Sequence, residues 1–125
     1  MEKPMSIETN KAIVSRFYEQ VYNRRNLGII DEAVAEYIVN HNSKVRRLED
    51  ARLSIAALLA RFPDLQVTLE DIIAEGDKVV LRGIDRFTHQ PDGKPSSLTW
   101  IEIIRMENGK FVEAWIEADM RSFLE

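Results

Sequence analysis

The sequence predicts an α+β fold in which helices come first and an antiparallel sheet follows. Up to Phe62 the apolar residues recur three and four positions apart, which is typical of amphipathic helices. Beyond Pro63 they alternate with polar residues, and Gly-containing turns separate the alternating segments. Three helices followed by four strands favour a cone-shaped, curved antiparallel sheet with the three N-terminal helices packed on its concave face. Residues 1–125 are expected to form a single domain.

Three N-terminal segments carry the helical pattern. Ser6 is placed to cap a first helix that begins at Ile7, and the apolar stripe of this helix is rich in aromatic side chains. Asn and Ser residues after the second stripe favour a turn, and Pro63 ends the third helix. The three stripes are Val14, Phe17, Tyr18, Val21 and Tyr22; then Ile30, Ala33, Val34, Tyr37 and Ile38; then Leu48, Ala51, Ile55, Leu58, Leu59 and Phe62.

Four strands are predicted after the helices. They cover residues 67–73, 79–88, 98–106 and 111–119. The first two flank Gly76, and the last two flank Asn108-Gly109, which is a strong hairpin signal. Asp85 falls on the more apolar face of its strand, where an acid is unexpected. The tail Met120–Glu125 is expected to form a last helical turn.

Composition narrows the classes of function. The formal net charge of −4 argues against a nucleic acid or an anionic membrane as partner, because both attract basic surfaces. The absence of cysteine excludes disulfides, thiol catalysis and thiolate metal sites, and two histidines do not favour a histidine-rich metal site. No signal peptide or membrane-spanning segment is apparent, so the expected location is the cytoplasm.

Three stretches resemble the SnoaL-like polyketide cyclase family. They are NKAIVSRFYEQVYN from Asn10, RFPDLQVTLEDIIAEGDKVVLRG from Arg61, and IEIIRMENGKFVEAWIEADM from Ile101. This family belongs to the superfamily of nuclear transport factor 2, ketosteroid isomerase and limonene epoxide hydrolase, whose fold is a cystatin-like α+β barrel. The resemblance implies a hydrophobic pocket between sheet and helices, a homodimer through the sheet, and acid/base chemistry without a cofactor on a small hydrophobic, polyketide-like carbonyl compound.

The resemblance also implies two catalytic residues. In the cyclases an aspartate near the end of the last strand removes a proton next to a carbonyl, and the enolate closes a ring by aldol addition. Asp119 matches that aspartate, and His41 matches a histidine that often faces the pocket. The family more often has acids on both sides of this histidine, where this chain has Asn40 and Asn42. On the residues alone, Asp119 could instead cap the terminal turn, and His41 could be a loop residue bonded to backbone.

Six residues are predicted to bind the ligand, namely Tyr18, Asn40, Phe62, Trp100, Glu102 and Trp115. Core packing explains the aromatic residues among them equally well. Glu102 is either a buried second base on the concave face or a convex residue that pairs with a cross-strand arginine or joins the dimer surface. Epoxide hydrolysis is not favoured, because Arg82 and Asp85 are three positions apart and point to opposite faces.

Three functions therefore remain open. The first is an acid/base enzyme, the second a binding protein without activity, and the third a dimeric protein-interaction module that uses the sheet as its interface. A cavity of roughly 300 Å³ or more that contains Asp119 would favour the first two. A filled cone would favour the third.

Overall fold

A computed structural model describes residues 6–119, which form three α-helices, one π-helical segment and five strands. The elements are α1 (Ile7–Phe17), the π-segment (Tyr18–Asn23), α2 (Gly28–Ala33), β1 (Val34–Asn40), α3 (Leu48–Arg61), β2 (Gln66–Glu75), β3 (Lys78–His89), β4 (Lys94–Glu107) and β5 (Lys110–Ala118). The predicted α+β class is confirmed, since the strands form one curved, unclosed sheet against which the helices pack. The predicted terminal turn Met120–Glu125 lies outside the described residues.

The sheet has the strand order β1-β5-β4-β3-β2. β2 to β5 are joined as antiparallel hairpins, as the alternating pattern predicted. Gly76 has a φ of 60°, and Asn108 and Gly109 have φ values of 51° and 75°. Two successive residues with positive φ are what a tight two-residue hairpin requires, because such a turn matches the twist of the strands.

The second predicted helix is wrong in its second half. α2 ends at Ala33, and Val34–Asn40 forms β1, which pairs in parallel with β5. Val34 and Ile38 are both buried, and residues four apart lie on one face of a strand as well as of a helix. Tyr37 distinguishes the strand from the helix, because a helix would place it on the apolar face with Val34 and Ile38. It is instead 70% exposed and lies under the Arg47 guanidinium.

The first and third helices follow the sequence prediction closely. The Ser6 hydroxyl accepts a hydrogen bond of 3.0 Å from the Thr9 amide and so caps α1. α3 ends just before Pro63, and the Phe62 ring packs against Phe87, with 5.0 Å between ring centroids. Among residues 6–119, no helix is long and apolar enough to span a bilayer.

Alternation divides the sheet into an inner and an outer face. On β4 the inner face carries Trp100, Glu102 and Ile104, and it meets the helices in the hydrophobic core. The outer face carries Ile101 and Ile103, which point away from the helices. The register of the neighbouring strands extends this division across the sheet, so each side chain of β2 to β5 can be assigned to one face.

A glycine allows the largest inner-face side chain to lie flat on the sheet. Gly83 on β3 pairs directly with Trp100 on β4. A Cβ atom at position 83 would lie 2.2 Å from Cζ2 of the indole, which is far closer than carbon atoms approach. The indole therefore rests on the backbone of Gly83, and any side chain there would displace it.

We expect Gly83→Ala to destabilise the protein by about 1 to 3 kcal/mol, because the new methyl group overpacks a site that Trp100 already fills. Urea unfolding followed by tryptophan fluorescence measures this loss, and the folded-state emission should change as well. Gly28→Ala is the control, because a Cβ there meets only Oδ1 of Asn26, at 3.6 Å. Equal stability of Gly83→Ala and the wild type would contradict the assigned packing.

Candidate functional site

A cavity of about 150 Å³ lies between the inner face of the sheet, the π-segment and α3. Its walls are mainly aliphatic and aromatic. The polar side chains that reach it come from Tyr18, Tyr22, Asn40, Ser54 and Glu102. The cavity is smaller than the expected 300 Å³ and does not include Asp119, yet the cone is not filled. The cavity therefore matches neither the expected pocket nor a filled cone.

Glu102 is the acid of this cavity. Its side chain lies on the inner face of β4, and the Tyr18 hydroxyl donates a hydrogen bond to its Oε1 atom. The two residues are 84 positions apart in the chain, so the fold alone brings them together. The choice between a concave and a convex position for Glu102, which the alternation left open, is settled in favour of the concave face.

Burial controls the ionisation of this carboxyl group. The pKa of Glu102 is raised from 4.5 to about 7, chiefly by the loss of water around it, and the negative charge of Asp85 contributes a smaller part of this rise. The hydrogen bond from Tyr18 acts in the opposite direction, because it stabilises the charged form. Burial and the nearby carboxylates also raise the pKa of Tyr18 and of Tyr22, so both hydroxyl groups keep their protons at neutral pH.

A stack of aromatic rings holds Tyr18 in place. The Tyr18 ring stacks on Trp100 on one side, with 5.4 Å between centroids, and on Tyr22 on the other, with 5.1 Å. The indole N–H of Trp100 donates a 2.7 Å hydrogen bond to Asp85. Desolvation raises the pKa of Asp85, and the bond from Trp100 opposes this rise. Trp100 does not line the cavity itself but supports the residue that does.

His41, the catalytic histidine that the resemblance implied, does not line the cavity. The His41 ring stacks on Trp115 at 4.7 Å, and its Nε2 atom is 2.6 Å from Oε2 of Glu113. Trp115 and Glu113 pair with Ile103 and Arg105, which places them on the outer face. His41 thus has a carboxylate partner from β5, although Asn40 and Asn42 replace the expected neighbouring acids.

Glu113 joins His41 to an arginine on the same face. The Arg105 Nε donates a 2.8 Å hydrogen bond to the second oxygen of Glu113. This bond and the one to His41 lower the pKa of Glu113, the arginine contributing more. Neither His41 nor Trp115 lines the cavity, so the structure does not bring these two predicted site residues to Glu102.

The remaining predicted residues divide between the two regions. Asn40 lines the cavity, and its side-chain oxygen accepts a 2.8 Å hydrogen bond from the Asn42 amide. Phe62 packs in the core near Phe87 and does not line the cavity. Asp119 follows β5 and borders a surface depression together with Arg82 and Glu117. Of the residues predicted to bind or react, Tyr18, Asn40 and Glu102 therefore meet at one cavity.

Two residues at or near the site are missing from the predicted set of ligand-binding residues, although each carried a signal. Tyr22 follows Tyr18 by four positions, and the π-segment brings both rings to the same wall. Such segments occur often at functional sites. Asp85 was visible as an acid on an apolar strand face, and its partner proves to be the Trp100 indole. Within residues 6–119, no group of three or more histidine or acidic side chains could hold a metal ion.

We expect Glu102→Gln to change how stability depends on pH. The folded state holds the Glu102 proton up to about pH 7 and the unfolded state only to about 4.5. The wild type therefore loses stability as pH rises through this interval, whereas the variant has no such proton to lose. From about pH 5 to pH 8, the free energy of unfolding of the wild type should therefore fall by about 2 to 3 kcal/mol more than that of the variant.

Urea unfolding at a series of pH values measures this difference. Glu70→Gln is the matched control, because Glu70 is an exposed glutamate on β2. Its curve should run parallel to that of the wild type over the same pH interval. Parallel curves for Glu102→Gln would contradict the assigned burial of the carboxyl group.

Comparison with known proteins supports the cyclase resemblance. IdmH from Streptomyces antibioticus, a proposed polyketide cyclase, is 26% identical over 92% of this chain and 95% of that chain, with a TM-score of 0.81. AclR from Streptomyces galilaeus, a proposed hydroxylase, is 28% identical over 95% of each chain, with a TM-score of 0.78. A proposed SnoaL-like polyketide cyclase from Jannaschia sp. CCS1 has a TM-score of 0.84 over 99% of this chain and 95% of that one.

At 19% identity, the Jannaschia structure shows the fold alone. Comparison with curated protein sequences gave no match. The family model for SnoaL-like polyketide cyclases matches residues 12–125, which is nearly the whole chain. The chain therefore belongs to the SnoaL-like polyketide cyclase family.

Proposed function

We propose that this protein is an enzyme that performs acid/base chemistry on a small hydrophobic carbonyl compound, with Glu102 as the general base. The observation that carries the proposal is a single carboxyl group in an apolar cavity, with a pKa raised to about 7 by burial. A base is most effective when its pKa lies close to the working pH, because it is then both available and strong. Polyketide-like carbonyl compounds fit the family and the apolar walls.

The proposed step begins with the ionised Glu102 carboxylate. One of its oxygens takes a proton from the carbon next to the carbonyl group, and the electron pair of the C–H bond moves to the carbonyl oxygen as an enolate forms. The proton is then on Glu102. The enolate carbon either takes a proton back or attacks a second carbonyl group in the same molecule. In that second case the new alkoxide takes up the proton, and an aldol ring closure results.

The hydroxyl groups of the cavity can stabilise the enolate. Tyr18 and Tyr22 both keep their protons, since burial raises their pKa values. Tyr22 and the amide of Asn40 line the same cavity as Glu102 and are proposed to donate hydrogen bonds to the developing negative oxygen. Tyr18 donates to Oε1 of Glu102, which leaves Oε2 as the oxygen proposed to accept the proton.

Glu102 replaces Asp119 as the favoured base. Asp119 borders a shallow region of β3, β4 and β5 that also includes the charged side chains of Arg82 and Glu117. A carboxyl group gains base strength chiefly from desolvation, and the enclosed apolar surroundings belong to Glu102. A protein that binds the same ligand without reacting is the second candidate, since an apolar cavity with a few polar groups serves binding equally well.

A homodimer through the outer face of the sheet is also proposed. The outer face carries a row of apolar side chains that the helices do not cover, including Ile73, which is 63% exposed, and Ile101, which is 49% exposed. Ile103 and Trp115 extend the row onto neighbouring positions of β4 and β5. An exposed apolar patch of this kind favours a protein contact, and a second copy offers the same patch.

We expect the wild type to catalyse exchange of the α-protons of small ketones with deuterated water, because this requires only the proposed proton removal. Proton NMR of acetophenone in deuterated buffer measures the rate. Glu102→Gln should lose about a hundredfold or more of the rate, which is the usual worth of a general base. The rate should also rise as pH passes about 7, where Glu102 becomes ionised.

Asp119→Asn is the matched variant for this experiment, because Asp119 is the aspartate that the resemblance named. Its rate should equal that of the wild type. Loss of exchange in Asp119→Asn with full activity in Glu102→Gln would reverse the assignment of the base. Absence of exchange in the wild type, with acetophenone bound, would favour the binding protein.

We expect the protein to be a dimer at micromolar concentration and Ile101→Asp to be a monomer, since the new charge would be buried in the interface. Light scattering coupled to gel filtration measures the mass. Leu53→Asp is the control, because Leu53 is 65% exposed on α3, on the other side of the molecule. A monomeric mass for the wild type would refute the interface.

A further inference from the structure

The volume of the cavity limits what Glu102 can act on. An apolar cavity of about 150 Å³ holds one benzene-sized molecule, whereas pockets for drug-sized ligands begin at about 300 Å³. We propose that the cavity accepts an uncharged carbonyl compound with a single ring and excludes compounds with fused rings. This inference rests on the proposed function, because it takes the carbonyl group to lie at Glu102.

The inner walls of the cavity are also the core of the protein. Phe17 and Phe111 meet edge to face, with 4.9 Å between centroids, and both line the cavity. Ile104, at 2% exposure, forms the floor on β4 next to Glu102. A second ring would have to displace these packed side chains, and cores resist such overpacking. The size limit is therefore set by the fold and not by a loop.

The wall formed by α3 is the one that a substitution can move. Four residues of this helix reach the cavity, namely Ala51, Ser54, Ile55 and Leu58. Ser54 and Leu58 are exposed and lie where the cavity meets solvent, whereas Ile55 is partly buried and packs on the core. Shortening Ile55 should therefore widen the interior, while the opposite wall of Phe17, Phe111 and Ile104 stays intact.

The charge of the cavity limits the ligand in a second way. Of the described residues that line it, Glu102 alone carries a formal charge when ionised. A ligand carboxylate would bring a second negative charge into the same apolar space without a cation to balance it. For a ligand ammonium group, the loss of hydration in this apolar space costs more than a buried pair with Glu102 returns, and the pair would also occupy the oxygen that has to take the proton. The site consequently suits an uncharged ketone or aldehyde.

Calorimetric titration with two matched series tests the proposal. The size series is acetophenone, acetonaphthone and acetylanthracene, which have one, two and three rings. The charge series is acetophenone, para-acetylbenzoate and para-(aminomethyl)acetophenone. We expect acetophenone to bind best, and the two-ring ketone to bind about tenfold or more weakly, because it overpacks the core. Both charged ketones should be weaker than acetophenone at neutral pH.

Ile55→Ala should recover binding of the two-ring ketone, because it removes side-chain volume from the α3 wall. Leu53→Ala is its control, since Leu53 lies on the same helix but does not line the cavity. Equal or tighter binding of acetonaphthone by the wild type would overturn the size limit. Preference for either charged ketone would overturn the charge limit, and failure of all the ketones to bind would overturn both.

Measurements of both binding and proton exchange show whether this inference or the proposed function has failed. If the ketones bind in the expected order and the wild type exchanges no α-protons, the size and charge limits hold and the enzyme proposal fails. If exchange occurs equally well with the three-ring ketone, the enzyme proposal holds and the size limit fails. Glu102→Gln completes the test, because it should bind acetophenone with little change while its exchange is lost.

Discussion

The burial of one carboxyl group in an apolar space is the constraint on which the site depends. Desolvation makes ionisation of Glu102 costly, and a nearby acid, Asp85, makes it costlier, while the hydrogen bond from Tyr18 offsets part of the cost. The balance of these effects leaves the pKa of Glu102 at about 7. That balance requires Tyr18 to stay in position, which in turn depends on the stacked indole of Trp100 and on the space that Gly83 leaves for it. The absence of a side chain at Gly83 on β3 thus influences the pKa of Glu102 on β4, through the positions of Trp100 and Tyr18.

Alternation along the strands separates two sets of residues that the sequence places close together. Glu102 and its neighbours Ile101 and Ile103 are consecutive, yet Glu102 faces the core and the isoleucines face outwards. The His41 and Trp115 pair lies on the outer side as well, since Trp115 is the partner of Ile103 in the sheet. One side of the sheet therefore lines the cavity, and the other carries the apolar patch proposed as the dimer contact. A family whose members share the fold can vary these two sides independently.

Much of the fold follows from local signals, and most of the site does not. Ser6, Pro63 and Asn108-Gly109 each specify a boundary through their own backbone preferences, and all three boundaries were predicted correctly. β1 was not, because the spacing of Val34 and Ile38 suits a helix and a strand alike, and pairing with β5 decides between them. The bond between Tyr18 and Glu102 joins residues 84 positions apart, and no local pattern predicts such a contact. The resemblance to cyclases predicted a base at Asp119, whereas the enclosed acid is Glu102.

The walls of the small cavity differ in how freely they can change. Its floor and side walls, formed by Phe17, Ile104 and Phe111, belong to the core, so they cannot change without loss of stability. The wall on α3 is different, because Ser54 and Leu58 are exposed and only Ile55 packs inward. Substitutions on that helix can alter the volume in front of Glu102 without a change in the strand that carries the carboxyl group. The proposed base is thus held by the sheet, whereas the adjustable wall of the proposed ligand site belongs to one helix.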